Sequence, residues 1–238
     1  MPFTRNLIYH LCPLIGNDLW RVNCAQLRRR MEIFNGRRLI AIATGDGLHG
    51  PAVAERELPG CEYLHVANCP KLREVATFVP LLEAIAPPKG QEPAADQVSF
   101  YAHTKGNSTA CSVEGATLWR NAMYHHLLDR WEECLAELAA GAPAVGTTRV
   151  NWGTGRPPYP SKLRHGTWCF AGTFWWFRHD RVFTHPRWRD VPRDRYGAEA
   201  WLSGLFDAAE CPSVYQPWPE GLANPYDPRH YDAALYSD

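Results

Sequence analysis

The first 140 residues alternate between short apolar runs and segments with apolar residues at helical spacing. Four runs have the length of strands: NLIYHLCP (6–13), RRLIAIATG (37–45), EYLHVAN (62–68) and VSFYAH (98–103). Helical stripes occupy residues 18–35, 72–82 and 116–140. Because RRLIAIATG is apolar almost throughout, it predicts a parallel strand covered on both faces. The order predicts an α/β fold, with a mainly parallel central sheet flanked by helices.

Composition excludes several classes of partner. The 238 residues are 45% hydrophobic, which is ample for a buried core. With 25 basic and 25 acidic residues, the balance gives no electrostatic case for nucleic acid or an anionic membrane. No stretch approaches the roughly 18 consecutive apolar residues of a transmembrane segment, and the opening lacks the features of a signal peptide. The eight cysteines form no C-x-x-C pair, so we expect reduced thiols in a cytoplasmic protein.

The character of the chain changes after residue 140. Prolines, arginines and tryptophans become frequent, as in NWGTGRPPYP (151–160) and HPRWRDVPRDRYGAEAW (185–201). We find no internal repeat. We therefore expect the second half to extend the same sheet and to carry long loops that shape a site.

Polar residues follow three of the predicted strands. The first strand runs into His10, the second into Asp46, and the fourth into His103 and Lys105. Because ligands of open α/β sheets bind beyond the carboxyl ends of the strands, these ends predict a site, although each is also compatible with an ordinary polar loop. Lys105 supplies three donors and Gly106 allows backbone N–H groups to approach an anion, which suits a phosphate or diphosphate.

The stretch CFAGTFWWFR (169–178) carries four aromatic residues close together. In a strand, Phe174 and Trp176 would lie on one face and Trp175 and Phe177 on the other. Either the strand is covered on both faces, or one face meets a flat apolar partner such as a sugar ring. Gly172 favours close approach of backbone or ligand, because it lacks a side chain.

These segments together resemble a known family. FYAHTKGNS, LWRNAMYHHLLDRW, HGTWCFAGTFWWFR and RYGAEAWLSGLF, with the opening NLIYHLCP and the NGRRLIAIATG strand, resemble bacterial glycosyltransferase-like proteins of the GT-A (nucleotide-diphospho-sugar transferase) type. The resemblance spans most of the chain. It implies one glycosyltransferase-like domain over residues 1–238, with a nucleotide-binding half at 1–140 and an acceptor-side half at 141–238. It also implies transfer of a sugar from a nucleotide-sugar donor to a glycan or other small acceptor.

The resemblance implies where the donor binds. His10 and Asp46 would face the nucleotide, and His103 and Lys105 would lie near the sugar-diphosphate. Tyr101, within FYAHTKGNS, would also contact the substrate. Many GT-A enzymes hold a divalent metal with an Asp-x-Asp motif after a central strand, but this sequence has no such motif and reads His-Thr-Lys there. We therefore predict no cofactor, with basic groups acting in place of a metal, and leave Mn²⁺ or Mg²⁺ open.

The resemblance also implies the acceptor side. Four residues of the Gly-aromatic segment would line the sugars: Gly172, Phe174, Trp175 and Trp176. Arg195, which begins RYGAEAW, would contact the substrate. Glu199 would be the catalytic carboxylate beside the acceptor hydroxyl and would share one cleft with Trp175 or Trp176. If Gly197 opens a helix, however, Glu199 lies in its first turn, where the helix dipole favours the anion and a structural role is the alternative.

Two other functions remain open on the sequence. A catalytically inactive nucleotide- or glycan-binding module would have the same fold and the same segments. A metallohydrolase would use the strand-end histidines His10, His65 and His103 as zinc ligands, although no H-E-x-x-H pair is present.

Overall fold

The four predicted strands of the first half are neighbours in one sheet. The computed structural model describes residues 2–105, 113–151, 166–218 and 224–236. Its strands are β1 Thr4–Leu11, β2 Arg38–Thr44, β3 Glu62–Ala67, β4 Gln97–His103, β5 Ala144–Gly146, β6 Arg149–Asn151, β7 Trp168–Phe170 and β8 Trp175–Arg178. The central sheet has the order β3-β2-β1-β4-β8-β5, and β6 pairs with β7 separately.

Strand direction confirms the mainly parallel sheet. The pairs β1–β2, β2–β3 and β1–β4 are parallel, whereas β8 is antiparallel to both β4 and β5. Because β5 and β8 come from beyond residue 140, the second half extends the same sheet, as the sequence predicted. The molecule is an α/β fold with a six-stranded sheet flanked by helices.

The helices differ in detail from those expected. They are α1 Leu19–Arg28, α2 Pro51–Glu55, α3 Val75–Ile85, α4 Val113–Tyr124, α5 Trp131–Ala139, α6 His179–Val182, α7 Gly197–Trp201 and α8 Ala233–Tyr236. The helix expected over 18–35 ends at Arg28 and is followed by a 3₁₀ turn at Met31–Ile33. The helix expected over 116–140 is divided into α4 and α5 by a π-helical segment, His125–Asp129. No helix within the described ranges has the length and apolarity needed to cross a bilayer.

Alternating strand residues divide the core into two layers. On one face, Leu7, Tyr9 and Leu11 of β1 belong to a cluster with side chains of α1, α4 and α5. On the other face, Ile8 and Tyr101 belong to a cluster with side chains of α3, α6 and α7. Both faces of the central strands are therefore covered, which explains why RRLIAIATG is apolar on both sides.

Candidate functional site

The strand ends that the sequence singled out meet at one edge of the sheet. His10 and His103 are register partners on the adjacent parallel strands β1 and β4. The Thr104 N–H donates to the His10 carbonyl at 3.0 Å, and the Cys12 N–H donates to Thr104 Oγ1 at 3.1 Å. The loops after β1 and β2 also join, because the Ile15 N–H donates to the Gly47 carbonyl at 3.0 Å. The carboxyl ends of β1, β2 and β4 therefore form one continuous rim.

Both histidines at this rim are buried and neutral at pH 7. His10 is 7% exposed, and burial lowers its pKa to about 4. Burial holds the pKa of His103 well below its usual value, and the charge of Lys105 lowers it further. In this state His103 is a neutral hydrogen-bonding group, and its place near the sugar-diphosphate stays a prediction.

Lys105 is the cation at the end of β4. Its backbone is fixed by Asn23 of α1, whose Oδ1 accepts from the Lys105 N–H at 3.1 Å and whose Nδ2 donates to the Lys105 carbonyl at 3.0 Å. The Lys105 ammonium lies 4.0 Å from the centre of the Trp119 ring, a cation–π contact, and the residue is 8% exposed. The Gly106 predicted to favour anion approach lies outside the described residues. Contacts from α1 and α4 therefore hold Lys105 in place.

Sequence reasoning missed a carboxyl group at this rim. Glu74 immediately precedes α3, and burial raises its pKa to about 7, with the negative charge of Glu199 as the next cause. Lys105 and Arg73 act in the opposite direction on the same pKa. The charge of Glu74 also adds to the burial that raises the pKa of Cys12 to about 11. The Glu74 carboxyl therefore interacts electrostatically with Cys12 after β1, with Lys105 after β4 and with Glu199.

The packing of α3 against α7 brings Glu74 and Glu199 together. Phe78 of α3 and Trp201 of α7 are in edge-to-face contact, with ring centres 5.1 Å apart. A methyl group on Gly197 would lie 3.3 Å from Val75 Cγ2, so the helices approach closely where α7 begins. Glu199 is partly exposed in the first turn of α7, as expected if Gly197 opens a helix. An acidic residue before a helix is common, so the sequence offers no signal that distinguishes Glu74.

The aromatic segment is core, and the predicted sugar platform is wrong for its rings. Phe174, Trp175, Trp176 and Phe177 all have 0% exposure. The rings alternate as predicted, with Phe174 and Trp176 on the α1/α4 side and Trp175 and Phe177 on the α3/α7 side. Because β8 lies between β4 and β5 with helices on both faces, no ring is left to stack on a sugar.

Tyr101 is likewise part of the core and does not reach a substrate. It is 0% exposed on the α3 side of β4. Its ring lies 4.5 Å from Phe78 and 5.2 Å from Trp175, centre to centre. The substrate contact predicted for Tyr101 was wrong because residues alternate along β4, and the face that carries Tyr101 is covered by α3.

Gly172 serves close packing, and its ligand contact stays a prediction. Its φ is +93°, and a Cβ there would lie 2.5 Å from Met123 Sδ and 2.9 Å from Trp119. Its carbonyl accepts a hydrogen bond from His103 Nε2 at 2.9 Å. The missing side chain of Gly172 does allow a close approach, as expected, but the approaching groups are side chains of α4.

Two predicted ligand contacts lie on the surface. Asp46 is exposed in the turn after β2, and Arg195 is exposed just before α7 with its guanidinium 4.7 Å from the Tyr196 ring centre. The roles of both residues stay predictions.

The sequence left a divalent metal open, and that stays a prediction. Among the described residues, no three His, Cys, Asp or Glu side chains group as metal ligands. His65 of the metallohydrolase alternative is on β3, two strands from β1, and its Nε2 lies 2.8 Å from Glu55. It cannot join His10 and His103, so that alternative was wrong.

Comparison with known proteins yields distant structural similarity. No protein-family model matches the sequence, and no curated protein matches it. The chain is similar to a solved 4-diphosphocytidyl-2C-methyl-D-erythritol synthase from Anaerococcus prevotii, with 10% identity, a TM-score of 0.43, and coverage of 96% of this chain and 95% of that one. It is also similar to a candidate nucleotide-diphospho-sugar transferase from Desulfovibrio desulfuricans, with 12% identity, a TM-score of 0.39, and coverage of 91% and 84%. Both similarities are too distant to carry an argument about activity.

Proposed function

We propose that this chain is a transferase that moves a sugar from a nucleotide-sugar donor to the hydroxyl group of an acceptor. The observation that carries the proposal is the coupled carboxyl pair Glu74 and Glu199 beside Lys105, at the carboxyl edge of a parallel sheet. A carboxyl group with a raised pKa, beside a second carboxyl group and a cation, suits proton transfer at an anionic substrate.

Each group has a separate role in the reaction. The acceptor oxygen attacks the anomeric carbon, the bond from that carbon to the diphosphate oxygen breaks, and the diphosphate leaves with the electron pair. Glu199 takes the proton of the acceptor hydroxyl. Lys105 stabilises the negative charge that develops on the diphosphate. Burial, followed by the charge of Glu199, raises the pKa of Glu74 to about 7.

A second candidate is a catalytically inactive nucleotide- or glycan-binding module. The observation that favours it is the cation–π contact of Lys105 with Trp119, because this contact engages the ammonium without a ligand. The transferase and a nucleotide-binding module both predict nucleotide binding, and only the transferase predicts turnover.

The test is release of nucleoside diphosphate from a panel of UDP-, GDP-, CDP-, ADP- and dTDP-sugars, with binding measured in parallel by calorimetry. We expect Glu199→Gln to lower turnover by about 10²-fold or more and to change donor affinity by less than about threefold. The matched control is Glu137→Gln on the exposed side of α5, which should not change either quantity. Binding without turnover in the unmodified protein would support the binding module, and no binding of any nucleotide-sugar would rule out the transferase and the nucleotide-binding module.

A further inference from the structure

We propose that Thr77 holds His10 in the Nδ1–H tautomer, so that His10 Nε2 accepts a hydrogen bond from the nucleoside of the ligand rather than contacting its phosphates. This inference rests on the proposed function for the identity of the ligand. Thr77 is then a positioning residue that acts through His10.

Three atoms determine the tautomer. Thr77 Oγ1 lies 2.7 Å from His10 Nδ1 and 2.9 Å from the Glu74 carbonyl oxygen. A threonine hydroxyl has one hydrogen, and a carbonyl oxygen can only accept. The Thr77 hydroxyl therefore donates to Glu74, and the bond to His10 requires Nδ1–H as its donor. All three groups are within the buried contact between β1 and the first turn of α3.

The other nitrogen of His10 is then a bare acceptor. Burial keeps the imidazole neutral at pH 7, so one nitrogen alone carries a proton. No hydrogen-bond donor to Nε2 occurs among the described residues. The neighbouring His103, with its ring centre 6.5 Å away, donates its own Nε2–H to the Gly172 carbonyl. A ligand at this strand end must therefore bring a donor to His10.

The need for a donor selects the part of the ligand. An ionised phosphate oxygen has lone pairs but no hydrogen to donate. Next to Nε2, which also only accepts, it would leave the Nε2 lone pair without a hydrogen bond. A ribose hydroxyl or a base N–H satisfies it. In this proposal Lys105 binds the diphosphate, and His10 binds the nucleoside.

The tautomer can be measured without any ligand. Two-bond ¹H–¹⁵N spectra of ¹⁵N-histidine-labelled protein at pH 7.5 distinguish Nδ1–H from Nε2–H, and loss of signals in His10→Gln assigns the residue. We expect His10 as Nδ1–H in the unmodified protein and in Thr77→Ser, which keeps the hydroxyl. Thr77→Val keeps the shape and removes the hydroxyl, so the Nδ1–H signature should be lost. Nε2–H or imidazolium in the unmodified protein, or an unchanged signature in Thr77→Val, would overturn the proposal.

Binding tests the ligand half of the proposal. The probes are UDP, CDP, ADP and GDP, with inorganic pyrophosphate as the probe that lacks a nucleoside. We expect His10→Leu to lower the affinity for the tightest-binding nucleoside diphosphate about tenfold. The affinity for pyrophosphate should fall less than about twofold. Lys105→Ala should lower the affinity for both the nucleoside diphosphate and pyrophosphate. Equal loss of both probes in His10→Leu would overturn the ligand assignment. If the unmodified protein binds no nucleoside diphosphate, the proposed function and the ligand assignment both fail, whereas the tautomer result is independent of it.

Discussion

Glu74 shows how much one half-buried group changes the chemistry of this rim. Its carboxyl is ordinary by sequence, but burial and the charge of Glu199 raise its pKa to about 7. A raised pKa means that the folded protein keeps a proton that the unfolded chain has lost between about pH 4.5 and 7. By linkage, Glu74 therefore costs stability progressively as the pH rises through that window.

We expect Glu74→Gln to stabilise the protein above pH 7, because glutamine resembles the protonated carboxyl. The gain in free energy of unfolding should be on the order of 2 kcal/mol at pH 8 and near zero at pH 4. Urea denaturation at both pH values measures it, with Glu137→Gln as the control. A gain of the same size at both pH values would contradict the assigned pKa.

Trp175 shows the opposite case, in which a suspected ligand residue is structural. It is fully buried beside Tyr101 and Phe78. We expect Trp175→Ala to lower the free energy of unfolding by about 3–5 kcal/mol, because the cavity cannot collapse between the sheet and α3. Donor affinity, measured by calorimetry on the fraction that remains folded, should change little. A selective loss of donor affinity with unchanged stability would restore the sugar platform.

Among the secondary-structure elements, α7 has the most direct effect on the site, because it carries Glu199. Its first residue is Gly197, and a methyl group there would overlap the Pro192 carbonyl oxygen. The neighbouring face of α7 packs on α3 through Trp201 and Phe78. The separation of Glu199 from Glu74 is therefore set by how closely α7 can approach its neighbours.

We expect Gly197→Ala to displace the start of α7, to destabilise the protein by about 2 kcal/mol and to reduce turnover strongly. The matched control is Gly50→Ala before α2, where a Cβ meets nothing within 4 Å and φ is −60°. It should stay within about 0.5 kcal/mol of the unmodified protein. Thermal denaturation and the diphosphate-release assay test both variants, and equal effects would show that α7 is not closely packed.

Over the whole molecule, neutral buried histidines are distributed through the fold. His10 lies at the rim, His126 under Tyr236 near the end of the chain, and His179 against Ser99 of β4. Burial lowers the pKa of each to about 4. A lowered histidine pKa means that the unfolded chain binds the proton more readily, so stability is lost as the pH falls from about 6.5 towards 4.

We expect a steep loss of stability in mild acid. Each of these histidines should cost on the order of 2 kcal/mol between pH 7.5 and 5. Urea denaturation of Glu74→Gln at the two pH values measures the sum, because the Glu74 carboxyl would otherwise change stability in the opposite direction over this range. His179→Gln can keep the bond to Ser99 Oγ and removes one titrating group, so its loss on acidification should be smaller. Equal stability of Glu74→Gln at both pH values would show that these histidines are not held neutral.

The sequence by itself determined the elements and the direction in which side chains alternate. Apolar runs and helical stripes identified β1 to β4, α1 and α3, but not the short α2, because periodicity is a local property of the chain and needs several turns to show. The same local rule correctly divided Phe174 and Trp176 from Trp175 and Phe177. Strand ends identified His10, His103 and Lys105 as neighbours, because parallel strands end at the same edge.

Only the tertiary structure decided which groups are buried and which are paired. Both faces of β8 are covered, so the aromatic rings are core, and no pattern within the segment records what packs above it. Glu74 and Glu199 are distant in the chain and meet because α3 packs on α7. The neutral state of His10 and the raised pKa of Glu74 follow from desolvation, which depends on the atoms that surround a group in space rather than on its neighbours in sequence.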